Sequence, residues 1–348
     1  MVGYLVLENG EIFEGERIGV TKDTVCEVVF NTSMVGYIET FTDPSYLGQG
    51  IVMTYPLIGN YGVMPEDYES DKIYAKAIFV HEVADFESNF RSKSNLEKFL
   101  RDYKIPGLSG INTRKLTRML RDAGTMKGYL TSNIDNIDDI MQKIKEYKIE
   151  NPVEYVTCRQ AKTYGKGKSK KVAVLDCGVK HNLINSLLKR DVEVTVFPAT
   201  AEPEQILNLR PNGILISNGP GNPMDYKKQI KTIQKLYDSK IPMFGVALGH
   251  QLIAIAKGAK TEKLKYGHRG PNHPVKDLKK DRVHITSQNH GYYVSEDSLD
   301  KSVVEISHVS LNDNTVEGLR YKDKNIFTIQ FYPEDAEYIY EEFIKMMK

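Results

Sequence analysis

From residue 172 to residue 258 the chain alternates short apolar runs with helix-patterned segments, and that alternation leaves few folds open to it. VAVLD (172–176), VEVTVFP (192–198), GILIS (213–217) and PMFGV (242–246) have the length and apolar, β-branched content of buried strands. HNLINSLLKR (181–190), EPEQILNL (202–209), YKKQIKTIQKLY (226–237) and LGHQLIAIAKG (248–258) follow them in turn and carry apolar residues at helical spacing. Strands and helices joined by short connections specify an open, mostly parallel α/β sheet with helices on both faces. Beyond Thr261 the pattern predicts shorter, more polar strands and a last helix over 334–347.

The front half reads differently. Asn9-Gly10 between two apolar stretches is a hairpin signal. Val25–Phe30 and Ile51–Tyr55 are expected as strands, and Asn95–Tyr103, Thr113–Ala123 and Asp138–Tyr147 as helices. This predicts a mixed α+β domain over 1–150, strands first and helices later. KTYGKGKSKK (162–171), with five lysines and two glycines, reads as solvated, so residues 151–170 are expected as a linker and 171–348 as the second domain.

Bulk composition narrows the function classes. Basic and acidic residues number 47 and 46, so net charge gives no argument for nucleic acid or an anionic membrane. The opening MVGYLVLENGEIFEGE is broken early by acidic residues and does not read as a signal peptide, and no run of 18 apolar residues occurs. Three cysteines without paired spacing suit a reducing, cytoplasmic setting. His268, His273, His284 and His290 are close in sequence but match no compact ligand pattern, so no metal is expected. The basic helix TRKLTRMLR (113–121) is expected to present a solvated face or a partner contact.

In an open parallel sheet ligands bind beyond the carboxyl ends of the strands. Here those ends carry Asp176-Cys177-Gly178, SNGPGNP (217–223) and GVALGHQ (245–251). The last is a strand entering a helix through two glycines, which is how a nucleophile elbow is built. The residue at the bend is Ala247, which offers no nucleophile. Cys177 sits at a ligand-facing strand end but is expected as a small semi-buried residue.

NGPGNP, GVALGHQL, GHRGPNHPVKD, TSQNHG and FYPE together resemble the triad-type (class I) glutamine amidotransferase domain. NTSMVGYIETFTDPSY, TYPLIGNYG and INTRKLTRMLRDAG add a resemblance to the small subunit of carbamoyl-phosphate synthetase, so that the likeness runs over essentially the whole chain. The resemblance implies a glutaminase that sends ammonia through a tunnel in a large subunit. That partner would hold ATP and Mg, with no cofactor on this chain, and make carbamoyl phosphate for arginine and pyrimidine synthesis. It implies a catalytic cysteine where Ala247 stands and a histidine where Tyr332 stands, leaving only the orienting Glu334. It also implies a glutamine pocket lined by Ser45, Gly219, Gly221, Leu248, Gln251, Asn289, Gly291 and Tyr292. A single cysteine-to-alanine change does not account for Tyr332.

Alanine forms no thioester, and tyrosine, with a reference pKa of about 10, is a poor base at neutral pH. The expectation is a small subunit without glutaminase activity, structural or regulatory in an ammonia-dependent synthetase. Two other readings are a glutamine-sensing module and an amidase of altered chemistry working through Tyr332 or Cys177.

Overall fold

The computed structural model describes residues 1–322 and 324–347, in two compact units, Met1–Glu150 and the remainder from Asn151. In the first unit seven strands close a barrel, in the order Val2–Leu7, Ile12–Gly19, Pro106–Ser109, Ala77–Phe79, Gln49–Met53, Thr24–Asn31 and Met126–Thr131. The first two form the expected hairpin, with Gly10 at a φ of 85° in its turn. Strand periodicity sends alternate residues to opposite sides. Val28, Val52 and Phe79 pack with Leu116 and Leu120 of the helix Thr113–Ala123, whereas Val29, Ile51 and Ile78 pack with Leu96, Phe99 and Leu100 of the helix Leu96–Asp102. Strands and helices interleave here rather than following one another. Pro106–Ser109 lies between two helices, and its four residues, PGLS, carry too little pattern to be read as a strand.

The segment expected as a linker is structured. Val153–Val156 is a short helix with both end residues buried, and Lys162–Tyr164 pairs antiparallel with Val192–Pro198. The lysines obscure this, because an exposed edge strand tolerates charge as readily as a linker does.

The second unit is built on one ten-stranded sheet. Its centre is five parallel strands in the order Val192–Pro198, Lys170–Asp176, Gly213–Ile216, Met243–Val246 and Ile326–Ile329. Ala173, Leu175, Ile214, Ile216 and Met243 point into one core with Ile233 and Leu236 of the helix Lys227–Tyr237 and Leu252 of Leu248–Ala256. Val172, Val174, Leu215, Phe244 and Phe327 point into the other, with Leu183 and Leu187 of His181–Leu188 and Phe343 of Glu337–Met346. Both faces are thus covered, as the unbroken apolar strands require.

Beyond Thr261 two strands are long rather than short, while Val304–Ser310, Val316–Tyr321 and Ile326–Ile329 are short as expected. Thr261–Asp277 has 17 residues and pairs antiparallel with the 13 of Arg282–Val294. The ladder shifts register between Lys263 and His268 and again between Gly270 and His273. The glycines and prolines of GHRGPNHP sit at and between these irregularities, which is why the segment does not read as one strand.

Candidate active site

The bend after Met243–Val246 has the geometry of an elbow. Ala247 has φ 50° and ψ −107° and caps the helix Leu248–Ala256. A non-glycine residue held there stores about 1–3 kcal/mol of strain. The Ala247 N–H donates to the Ile329 carbonyl at 2.9 Å, and its own carbonyl accepts from the Gln251 N–H at 3.2 Å. The flanking glycines are required by space. A Cβ on Gly249 would lie 2.1 Å from the Ile216 carbonyl oxygen, and one on Gly245 would lie 2.7 Å from Ile253 Cδ1. The helix N-terminus directs N–H groups toward the bend, but residue 247 presents only a buried methyl.

Tyr332 packs in the same apolar cluster as Ala247, and its N–H donates to the Ser287 carbonyl at 2.9 Å. Its main neighbour is one that sequence reasoning misses. Lys180, from the loop after Lys170–Asp176, places its ammonium 4.1 Å from the centre of the Tyr332 ring and 2.5 Å from Glu334 Oε1. The lysine side chain is only 5% exposed. Glu334 is therefore salt-bridged to a lysine that also stacks on the tyrosine. A cation on the ring face and a carboxylate on that cation form a locked polar group. No signal in the sequence marks Lys180, since it lies 152 positions before Tyr332 and only the fold joins them.

Other candidate nucleophiles and bases are weak. Cys177 is completely buried, and burial with the nearby Asp176 charge raises its thiol pKa far above the ordinary value. His250 is completely buried, its Nδ1 2.7 Å from Thr328 Oγ1, and burial pushes its pKa down to about 3.

The loop expected to hold a ligand is tightly formed. A Cβ on Gly219 would lie 2.1 Å from the Cys177 carbonyl oxygen and 2.9 Å from Leu248 Cδ2. Gly221 has φ 87°, and a Cβ there would meet the Tyr226 hydroxyl, which donates to the Pro220 carbonyl at 2.7 Å. Gln251 uses its amide nitrogen on the Tyr292 carbonyl at 2.7 Å and on Gln330 Oε1 at 2.9 Å. Asn289, Gly291 and Tyr292 follow one another along Arg282–Val294, with Asn289 buried. Leu248, Gly219, Gln251 and Tyr292 are thereby joined into one neighbourhood beside the elbow. Ser45 lies in the first unit, in the turn Pro44–Tyr46, its N–H donating to Asp43 Oδ1 at 2.8 Å.

The histidines that show no linear ligand spacing are brought together by strand pairing. His268 stands opposite His290 across the ladder. With Glu317 of the strand Val316–Tyr321 they place three ligand-type atoms within 4.8 Å of one another. His273 stacks near His268, with ring centres 5.1 Å apart, while His284 packs against Tyr338 instead.

Comparison with known proteins gives the same division of the chain. Residues 5–130 match the family model of the carbamoyl-phosphate synthase small chain, CPSase domain, and residues 173–343 that of class-I glutamine amidotransferases. The chain is 47% identical over 351 aligned positions to the carbamoyl phosphate synthase small chain of Clostridium perfringens, covering 99% of both chains. It is 45% identical to the carbamoyl phosphate synthase pyrimidine-specific small chain of Bacillus subtilis, covering 99% of this chain and 95% of that one. Among solved structures, a glutamine amidotransferase from Thermotoga maritima aligns with 51% of this chain and 80% of its own, at 14% identity and a TM-score of 0.39. By its family match the second unit has the class I glutamine amidotransferase-like α/β fold, beside a mixed first domain. With its sequence related end to end to these small chains, the chain belongs to the carbamoyl phosphate synthase small chain family.

Proposed function

We propose that this chain is a small subunit of carbamoyl phosphate synthase that has lost glutaminase activity and plays a structural or regulatory part beside a large subunit. ATP and Mg would be held by that partner, which would use free ammonia, and no cofactor is assigned to this chain for the reaction. The observation that carries the proposal is Ala247 at the elbow: the bend keeps its strained geometry while the side chain that needs it is absent. Tyr332 in contact with Lys180 supports it. A tyrosine beside an ammonium is set up to hold a cation, not to accept a proton from a thiol and pass it to a leaving amine. Residual rate from N–H donors at the helix terminus alone would be small.

A glutamine-sensing role is the second reading, favoured by the intact loop around Gly219 and Gly221. An amidase of altered chemistry loses support from the buried, proton-retaining Cys177 and the weakly basic His250. The setting is proposed to be cytoplasmic; among the described residues no helix is long and apolar enough to cross a membrane.

The deciding experiment reconstitutes the chain with its large partner and follows ATP-dependent carbamoyl phosphate synthesis. Synthesis is expected with ammonium and not with glutamine, and no glutamate is expected to appear from glutamine. Glutamate release at roughly 1 per second or faster, within the ordinary enzyme range, would refute the assignment.

A further inference from the structure

Four electron-pair donors of the second unit face one another in a buried space. His268 Nδ1 lies 3.1 Å from Gln288 Oε1 and 3.5 Å from Glu317 Oε1. His290 Nε2 lies 2.8 Å from Gln288 Oε1 and 3.9 Å from Glu317 Oε1. Glu317 is fully buried, and its Oε1 has no hydrogen-bond partner.

Counting protons shows that with neutral imidazoles these contacts do not close on their own. The Gln288 amide nitrogen faces Glu317 Oε2 at 3.1 Å, an acceptor only, so its oxygen is the atom facing the two histidines. His290 Nδ1 lies 2.8 Å from the Tyr292 carbonyl oxygen, also an acceptor only. A neutral His290 has one N–H. If Nδ1 carries it, the Nε2 lone pair points at the Gln288 oxygen lone pair at 2.8 Å. If Nε2 carries it, the Nδ1 lone pair points at the Tyr292 carbonyl. Full protonation of His290 would satisfy both, at the cost of burying an imidazolium.

We infer that the space between His268 Nδ1, His290 Nε2, Glu317 Oε1 and Gln288 Oε1 is a binding site for one divalent transition-metal ion, with zinc the best fit to the donor set. A cation there turns every opposed lone pair into a bond. His290 then donates Nδ1–H to the Tyr292 carbonyl. His268 donates Nε2–H to Asp313 Oδ2 at 2.9 Å, the carboxylate–histidine arrangement that orients metal-bound imidazoles. The two carboxylates, Glu317 and Asp313, balance the charge of the ion. Two imidazoles and a carboxylate are a usual zinc set. The four measured gaps, 2.8 to 3.9 Å, bracket the roughly 3.4 Å between ligand atoms of a tetrahedral ion with bonds of about 2.0–2.1 Å. The site would act as a brace: through the Tyr292 carbonyl, which Gln251 also holds, it fixes the stretch Asn289–Tyr292 beside the elbow.

The expectation of no metal rests on linear spacing, which does not see ligands brought together across a ladder. The test is the metal content of the purified full chain by mass spectrometry after dialysis. A second arm titrates Co²⁺ into chelator-treated protein, following visible absorption and melting temperature. One zinc per chain, or a tetrahedral Co²⁺ band with a raised melting temperature, is the expected result. Glu317→Gln and His290→Asn should abolish it, and the exposed-helix control Lys231→Ala should not. Should the first two variants fail to fold, Asp313→Asn, outside the ligand set, should weaken Co²⁺ binding about 10- to 100-fold. A chain that holds no zinc and shows neither band nor melting shift with Co²⁺ overturns the inference, as does Co²⁺ binding that Asp313→Asn leaves unchanged. Neither readout depends on glutaminase or synthase activity, so the proposed function stands or falls separately.

Discussion

Two strand ends of the second unit have fared differently. Beyond Gly213–Ile216 the loop SNGPGNP keeps both its backbone path and the glycines that the path demands. Beyond Met243–Val246 the elbow has a strained bend and the glycines that the bend demands, but residue 247 offers only a methyl and residue 332 is a tyrosine. The difference teaches that the geometry of the bend does not depend on a reactive side chain. The bend is held by the Ile329 carbonyl, the Ile216 carbonyl and the packing of helix Leu248–Ala256, none of which needs residue 247 to react. A methyl suffices at residue 247, whereas moving the bend would disturb two cores.

That contrast is sharpest in a repair experiment. Ala247→Cys alone lacks a base, and Tyr332→His alone lacks a nucleophile, so each is expected to raise glutamate release less than about tenfold, and the pair together about 10³-fold or more. A covalent adduct of the introduced thiol with a glutamine-like electrophile would be its first sign. If the double variant binds glutamine but forms no thioester, the loop beyond Gly213–Ile216 has drifted as well, and the comparison fails.

Steric probes at the two ends come next in size. Gly219→Ala and Gly249→Ala each drive a methyl to 2.1 Å from a backbone oxygen, and each should cost about 3 kcal/mol in urea unfolding. Equal losses would support equal retention of both paths, and a loss below about 1 kcal/mol at either end would show that its backbone is free to yield. Lys180→Met should cost about 2 kcal/mol, below the usual figure for a broken buried pair because Glu334 is partly exposed. A loss no larger than that of an exposed lysine would mean that the cluster with Tyr332 is not locked. The smallest effect is a gain. Ala247→Gly relieves the positive φ at some cost in chain entropy and should stabilise by about 1 kcal/mol. Destabilisation instead would mean that the methyl's packing outweighs the strain.

Four of the five parallel strands are easy to read from sequence, because buried strands leave short, mostly apolar runs; the fifth, Ile326–Ile329, has too few residues to show a pattern. Ala247, Tyr332 and Glu334 are visible through their motifs. The barrel is not, since strands as short as Ala77–Phe79 and Pro106–Ser109 hold too few residues to show a period. Lys180 escapes because its tie to Tyr332 and Glu334 is made only in three dimensions. The facing of His268, His290 and Glu317 depends on register across a ladder with two irregularities, and register is set by pairing partners that a single strand's pattern does not name.

The short strand Lys162–Tyr164 has a consequence for the behaviour of the chain in a crowded solution. Without it, Val192–Pro198 would stand at the margin of the sheet as a seven-residue strand, VEVTVFP, rich in valine and open along one side to any passing strand. Three residues, Lys162 among them, cover part of that side, and Lys166 and Lys168 follow before the chain enters Lys170–Asp176. A new margin so brief and so heavily charged is a poor template for a second molecule. The stretch that looks like mere spacer thus shields part of that side from intermolecular strand addition.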